Sequence, residues 1–315
     1  MQETHSDNRS TDSDNEIDLR ELLYVLLKGK WIIAFVTAFL TTIAVIYSLI
    51  LPNIYESKAL LTPTNSSGST MGALASYSSI AGLAGINLPS GSDEGNSKKA
   101  IKKINSLSFF ENNILSNIYL PDLMAIKSWD SKTNTLAYDE SLYDVKSNTW
   151  VRDYSYPQQL IPSAQESYMI FREEHISLNE DNKSGFITLS IKHQSPFVAK
   201  QWVELIVDEI NNFYRFKDKL ESEKAISYLN QQISMTSLSE IKEALAQLLQ
   251  EETKKLTLIE ANQYYVLDYI DPPAVMEKKS NPNRALICIL GSLLGAMLGV
   301  LYVLIRKYAF SKKIL

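Results

Sequence analysis

Two charge-free apolar runs of 21 residues each, Trp31 to Leu51 (WIIAFVTAFLTTIAVIYSLIL) and Ala285 to Ile305 (ALICILGSLLGAMLGVLYVLI), sit near the two ends of the chain. A helix rises about 1.5 Å per residue, so each run covers roughly 30 Å, the thickness of a bilayer's hydrocarbon core. Both therefore predict transmembrane helices, spanning 31–51 and 285–305. Two crossings leave both termini on one side and residues 52–284 on the other. The first run is not read as a cleaved signal: 30 residues precede it, and Pro52-Asn53-Ile54-Tyr55 offers no small-residue cleavage site.

Between the spans the pattern changes several times. Ile54 to Thr62 (IYESKALLT) partly alternates and reads as a strand up to Pro63. Asn65 to Ser97 is rich in Gly, Ser and Ala around an apolar centre, Met71 to Leu88, and reads as a loop or broken helix that packs on something. Ala100 to Ile118 has helical spacing at Ile101, Ile104, Leu107, Phe110, Ile114 and Leu115. Residues 128–165, rich in Tyr, Trp and Asp, predict irregular structure, and no role is assigned to them. His175 to Leu178 and Phe186 to Lys192 read as two strands of a hairpin closed through Asn179 to Gly185.

Phe197 to Asp271 then contains neither Gly nor Pro, a run of 75 residues. Trp202, Ile206, Ile210, Phe213, Phe216 and Leu220 form one apolar stripe, continued by Ile226, Leu229 and Ile233. A second stripe runs Ile241, Leu245, Leu248, Leu256 and Ile259. Ser195 is the expected N-cap, with Pro196 in the first turn. Tyr264 to Ile270 reads as a strand ended by Pro272 and Pro273. If that strand rejoins the sheet, the helices over about 196–262 must go out and return, breaking near Ser234 to Ser239. An outgoing helix of about 38 residues would be roughly 57 Å long. The expected fold is an α+β membrane protein, with two transmembrane helices flanking a domain that has a small membrane-proximal sheet and a long helical hairpin.

Charge orients this frame. Lys and Arg near the spans number seven on the terminal side (Arg20, Lys28, Lys30, Arg306, Lys307, Lys312, Lys313) and four on the loop side (Lys58, Lys278, Lys279, Arg284). Both termini are thus expected in the cytoplasm and the loop outside it, which in a bacterium is the periplasm. Residues 1–16 are polar and predict a disordered cytoplasmic tail; residues 17–30 predict a juxtamembrane helix, and residues 306–315 a short cytoplasmic tail. The chain carries −5 in all, with −3 in residues 1–30 and +4 in residues 306–315, which leaves −6 for the loop. That sign argues against nucleic acid. The single cysteine, Cys288, lies in the second span, so no intramolecular disulfide forms.

No catalytic constellation is legible. The histidines are His5, His175 and His193, without the spacing of a metal site, and no GxxxxGK[ST] occurs. No enzyme activity, cofactor or metal is expected. Gly291, Gly295 and Gly299 recur every four residues and put small residues on one helix face. Another helix can approach closely there: a partner, a second copy or this chain's own first span.

Several segments resemble the polysaccharide chain-length determinant (Wzz-like) family of bacterial inner-membrane co-polymerases. They are Ile17 to Ile32 (IDLRELLYVLLKGKWI), Leu74 to Leu88 (LASYSSIAGLAGINL), Ser184 to Lys200 (SGFITLSIKHQSPFVAK) with Trp202 and Asn211-Asn212, and Asp271 to Arg284 (DPPAVMEKKSNPNR). The last contains Pro272, Pro273 and Pro282, similar to the family's proline-rich signature beside the second span. Some relatives continue into a tyrosine kinase; ten residues follow Ile305 here, so no fused kinase is expected. The resemblance implies a non-enzymatic homo-oligomer that sets polysaccharide (O-antigen or related lipopolysaccharide or capsule) length. A Wzy-type polymerase acting on undecaprenyl-diphosphate-linked glycan would be its partner. On that reading Trp202, Ile206, Ile210 and Phe213 serve as oligomer or core contacts. The alternative from another class is a two-span sensor or adaptor that signals through a partner.

Overall fold

The computed structural model describes residues 19–64, 96–181 and 183–310. The Ala/Gly-rich segment lies outside the described residues. Those described form two compact units, one of the residues up to Pro52 and from Pro282 onward, the other of Asn53–Asn281.

The first unit is helical. A juxtamembrane helix, Leu19–Lys28, is followed by the first span, Lys30–Ile50; the second span is Arg284–Phe310. The spans pack on one another along their length. Their remaining faces carry bare apolar side chains, Phe35, Phe39 and Leu293 among them. A soluble protein would bury helices this apolar; these are exposed along most of their length and suit a lipid surround.

The second unit is built on a four-stranded antiparallel sheet. In chain order its strands are β1 (Tyr55–Pro63), β6 (Ile176–Glu180), β7 (Ile187–His193) and β8 (Leu267–Asp271), in the spatial order β6-β7-β1-β8. The hairpin expected from Asn179 to Gly185 forms, with Gly185 at φ 72°, a turn that a side chain would strain. The period-two pattern puts Ile187, Leu189, Ile191 and His193 of β7 on one buried face with Ala59 and Leu61 of β1. Ala199, Trp202, Val203, Ile206, Val207 and Ile210 complete that core.

Two expectations need correction. The helix expected over Ala100 to Ile118 is interrupted: Asn96–Ile104 ends, and Ser106 caps a new turn by accepting Phe109 N–H at 3.3 Å. Residues 128–165, expected to be irregular, hold two hairpins, β2 (Ile126–Asp130) with β3 (Thr135–Tyr138) and β4 (Tyr143–Asp144) with β5 (Thr149–Trp150).

The hairpins share one turn, Asp-x-Lys-(Ser/Thr)-Asn. Asp130 Oδ1 accepts Lys132 N–H at 2.9 Å and Asp144 Oδ1 accepts Lys146 N–H at 2.9 Å; Asn134 and Asn148 then take φ of 52° and 54°. The preceding aromatic closes each turn, with Trp129 Nε1–H donating to Asn134 Oδ1 at 3.0 Å and Tyr143 O–H donating to Asn148 Oδ1. The repeat WDSKTNT and YDVKSNT was the available signal. Strands of two to five residues are too short to show a period.

The Gly- and Pro-free stretch is a helical hairpin. The outgoing helix, Pro196–Met235, has 40 residues, and the returning helix, Ser239–Ala261, has 23. Ser195 caps the former, accepting Val198 N–H at 3.5 Å. The return ends beside Arg215, which donates to the carbonyls of Asn262 and Gln263. The outgoing helix is therefore about 60 Å long, yet only the part beyond residue 213, roughly 33 Å, is paired arm; the rest lies on the sheet.

Candidate functional site

Five features carry the chemistry of this chain: the arm, its clamp, the glycine face, the proline segment and a histidine pair.

The arm helices close on a seam in which Ser222, Leu229 and Leu245 are buried. The sequence stripe divides here. Trp202, Ile206 and Ile210 are buried in the chain's own core with Phe213 packed against it, while Phe216 is 71 % exposed and Leu220 42 %. At 100° per residue, Phe216, Leu220, Tyr228 and Met235 fall within one arc of about 120°, on the opposite side from Ser222 and Leu229. Tyr228 and Met235 are also exposed. The outgoing helix thus has two apolar faces, one turned to the returning helix and one without a partner among the described residues.

A polar clamp joins the root of the arm to β8. Asn211 is buried; its Oδ1 accepts the N–H groups of Tyr265, Val266 and Leu267 at 2.9, 2.7 and 3.1 Å. Its Nδ2 donates to the carbonyls of Val207 and Leu267, both at 2.9 Å. One turn on, Arg215 holds the return loop; further out, Tyr265 O–H donates to Asp218 at 2.7 Å and Lys219 pairs with Glu260. Sequence reasoning found Asn211 only as part of a family-like Asn-Asn pair. An amide inside a helix usually reads as surface, and nothing local shows that three backbone donors converge on it.

The glycine face is filled from within the chain. A Cβ at Gly291 would stand 2.4 Å from Ala44 Cβ, one at Gly295 2.9 Å from Thr37 Cα, and one at Gly299 3.0 Å from Ile33 Cα. All three contacts are with the first span, so of the occupants that the spacing allowed, the structure has this chain's own helix. Gly29 repeats the arrangement from the other side, against Val303.

Pro272 is exposed, Pro273 buried and Pro282 half-buried. Between β8 and Pro282 the chain runs back along the start of β1: Ser57 O–H donates to Ala274 O at 2.9 Å, and Ile54 N–H donates to Asn281 O at 2.9 Å. Prolines lack the N–H that would extend a ladder, so this segment ends the sheet here.

His175 and His193, 18 residues apart, become neighbours because β6 and β7 pair Ile176 with Ile191. Their rings lie 5.7 Å apart, and Trp202 meets them at 5.4 and 5.0 Å. Burial pushes both imidazoles below the ordinary histidine range, His175 to about 4. They are neutral core groups, and among the described residues no group of three potential ligands forms a metal site.

Residues 15–125 match the family model of the chain length determinant protein, Wzz, and residues 227–308 match GNVR, a G-rich domain described on tyrosine kinases. A search of curated proteins returned no match. Among solved structures, a full-length bacterial polysaccharide co-polymerase is 17 % identical, with 95 % of this chain and 100 % of that chain covered and a TM-score of 0.43. A WzzB fragment from Salmonella Typhimurium is 13 % identical over 73 % of this chain and 100 % of its own, with a TM-score of 0.30. Both likenesses are too loose to add to the family match. The Wzz match runs through the first span and the G-rich match through the returning helix and second span, and together they mark the chain as similar to the Wzz-like chain length determinant proteins, a regulatory and non-catalytic class.

Proposed function

We propose that this protein is an oligomeric scaffold of the bacterial inner membrane, both termini cytoplasmic and the arm periplasmic, that sets the chain length of a polysaccharide. The polymerase it acts on is of the Wzy type, handling undecaprenyl-diphosphate-linked glycan. The observation that supports the scaffold most directly is the second apolar face, Phe216, Leu220, Tyr228 and Met235. A helical hairpin whose second apolar face, away from its own seam, is exposed among the described residues suits packing of like arms side by side. The seven-to-four excess of Lys and Arg on the terminal side supports the orientation.

Deleting the gene is expected to broaden the length distribution of the cell's polysaccharide on a gel while polymer is still made. Unchanged banding would overturn the proposed function. The double variant Phe216→Glu, Leu220→Glu tests the scaffold separately. Both side chains are exposed, so thermal unfolding should stay within about 0.5 kcal/mol of the parent. The detergent-extracted particle should become smaller by light scattering, and the length distribution should move towards that of the deletion. A full-sized particle with unaltered banding would remove this face from the assembly. A reporter fused near residue 150 checks the orientation and should be active only outside the cytoplasm.

A further inference from the structure

The strand β7 ends at His193 and the outgoing helix begins at Pro196, so two residues turn the corner between sheet and arm. His193 holds that corner from inside. Its Nε2–H donates to Asp122 O at 3.0 Å, and its Nδ1 accepts the N–H of Ser195 at 3.0 Å in a buried contact. Ser195 is also the helix cap. The only nitrogen of His193 able to take a proton is thus the one that receives the capping residue. His175 spends its Nδ1–H on Lys192 O at 2.7 Å, leaving Nε2 to be protonated.

We propose that His193, His175 and Trp202 form an acid-sensitive latch at the root of the arm. A proton on His193 Nδ1 turns an acceptor into a donor facing the Ser195 N–H, and the corner opens while the sheet stays folded. A proton on His175 adds a like charge beside it.

The charged and titratable groups on the surrounding elements do not offset this. On the turn before β6, Arg172, Glu173 and Glu174 are exposed. Asp122 offers its backbone carbonyl, its carboxylate being taken by Tyr138 O–H at 2.6 Å. On β1, Tyr55 lies opposite His193, and Glu56 pairs with Lys58. Lys192 is on β7 itself, and on the helix Lys200 pairs with Glu204. Among the described residues neither ring has a carboxylate as a hydrogen-bond partner.

The sign follows from burial. The closed corner holds both rings below their ordinary value of 6.5, and opening restores it. The open state therefore binds more protons, and the latch, fully closed above pH 6.5, loosens as pH falls towards about 4.

Hydrogen exchange of the full-length protein in detergent micelles, corrected for intrinsic rates, tests this from pH 7 to pH 4. Opening at residues 195–203 should grow about tenfold per pH unit for each proton taken up, ahead of any opening at Leu189 and Ile191. His193→Asn keeps an acceptor for Ser195 but cannot be protonated, and should weaken this dependence. The proposal is overturned if residues 195–203 open only together with β7, show no pH dependence, or respond undiminished in His193→Asn. Should that variant not fold, the order of opening in the parent protein decides alone.

Discussion

Asn211→Leu should lower the stability of the arm-bearing unit by about 3–5 kcal/mol, the largest effect expected of any single substitution outside the apolar core. Leucine keeps asparagine's branched outline and its number of side-chain heavy atoms, though it is bulkier, so the space stays filled and the main loss is in hydrogen bonding. Three backbone N–H groups, of Tyr265, Val266 and Leu267, lose their shared acceptor, and the carbonyls of Val207 and Leu267 lose a donor. A buried polar group left unpaired costs about 1–3 kcal/mol; partial opening to water keeps the sum below three or more full penalties. Asn211→Asp keeps the acceptor but loses both donations and buries a charge, so it should be destabilised as well. Denaturant unfolding of the full chain in detergent measures both. A loss under about 1 kcal/mol for Asn211→Leu would mean that the return loop is held by Arg215 and the Tyr265–Asp218 bond instead.

Gly295→Leu should disrupt the pairing of the two spans. Even a Cβ would sit 2.9 Å from Thr37 Cα and 3.2 Å from its carbonyl oxygen. Those are backbone atoms of a helix and cannot swing aside, so the helices must separate or tilt. Overpacking of this kind costs about 1–3 kcal/mol, and here it also forfeits the close contact that substitutes for a hydrophobic drive between helices in lipid. Gly291→Ala gives a sharper test, because its clash at 2.4 Å is with the Ala44 side chain alone. Ala44→Gly should restore the stability of Gly291→Ala, giving a coupling energy in a double-mutant cycle. Full stability in Gly295→Leu, or no rescue at position 291, would show that the glycine face does not meet the first span. Since the effect is within one chain, a change in particle size is not required of these variants. The Phe216→Glu, Leu220→Glu variant should behave in the opposite way, losing assembly while keeping its fold.

Much of the fold was legible. Two charge-free runs of bilayer length and 75 residues without Gly or Pro leave little choice of element, because length and periodicity alone decide between span, strand and helix. Ser195-Pro196 announces where the long helix begins, since capping is a local property of the side chain and its next few amides. Partners are a different matter. The spacing of Gly291, Gly295 and Gly299 announces a close approach but not by what; the structure answers with the first span, which reaches the glycines only once both helices lie alongside. The stripe beginning at Trp202 looks continuous through Leu220, yet the sheet ends beneath it, so burial turns to exposure between Phe213 and Phe216. Asn211 and the histidine pair depend on chain segments that meet through strand register and helix return. Patterning along a chain specifies which faces are apolar and where backbone direction must change. What each face touches, and hence which polar groups lose water and must find one another, is decided only when distant segments close on the same volume.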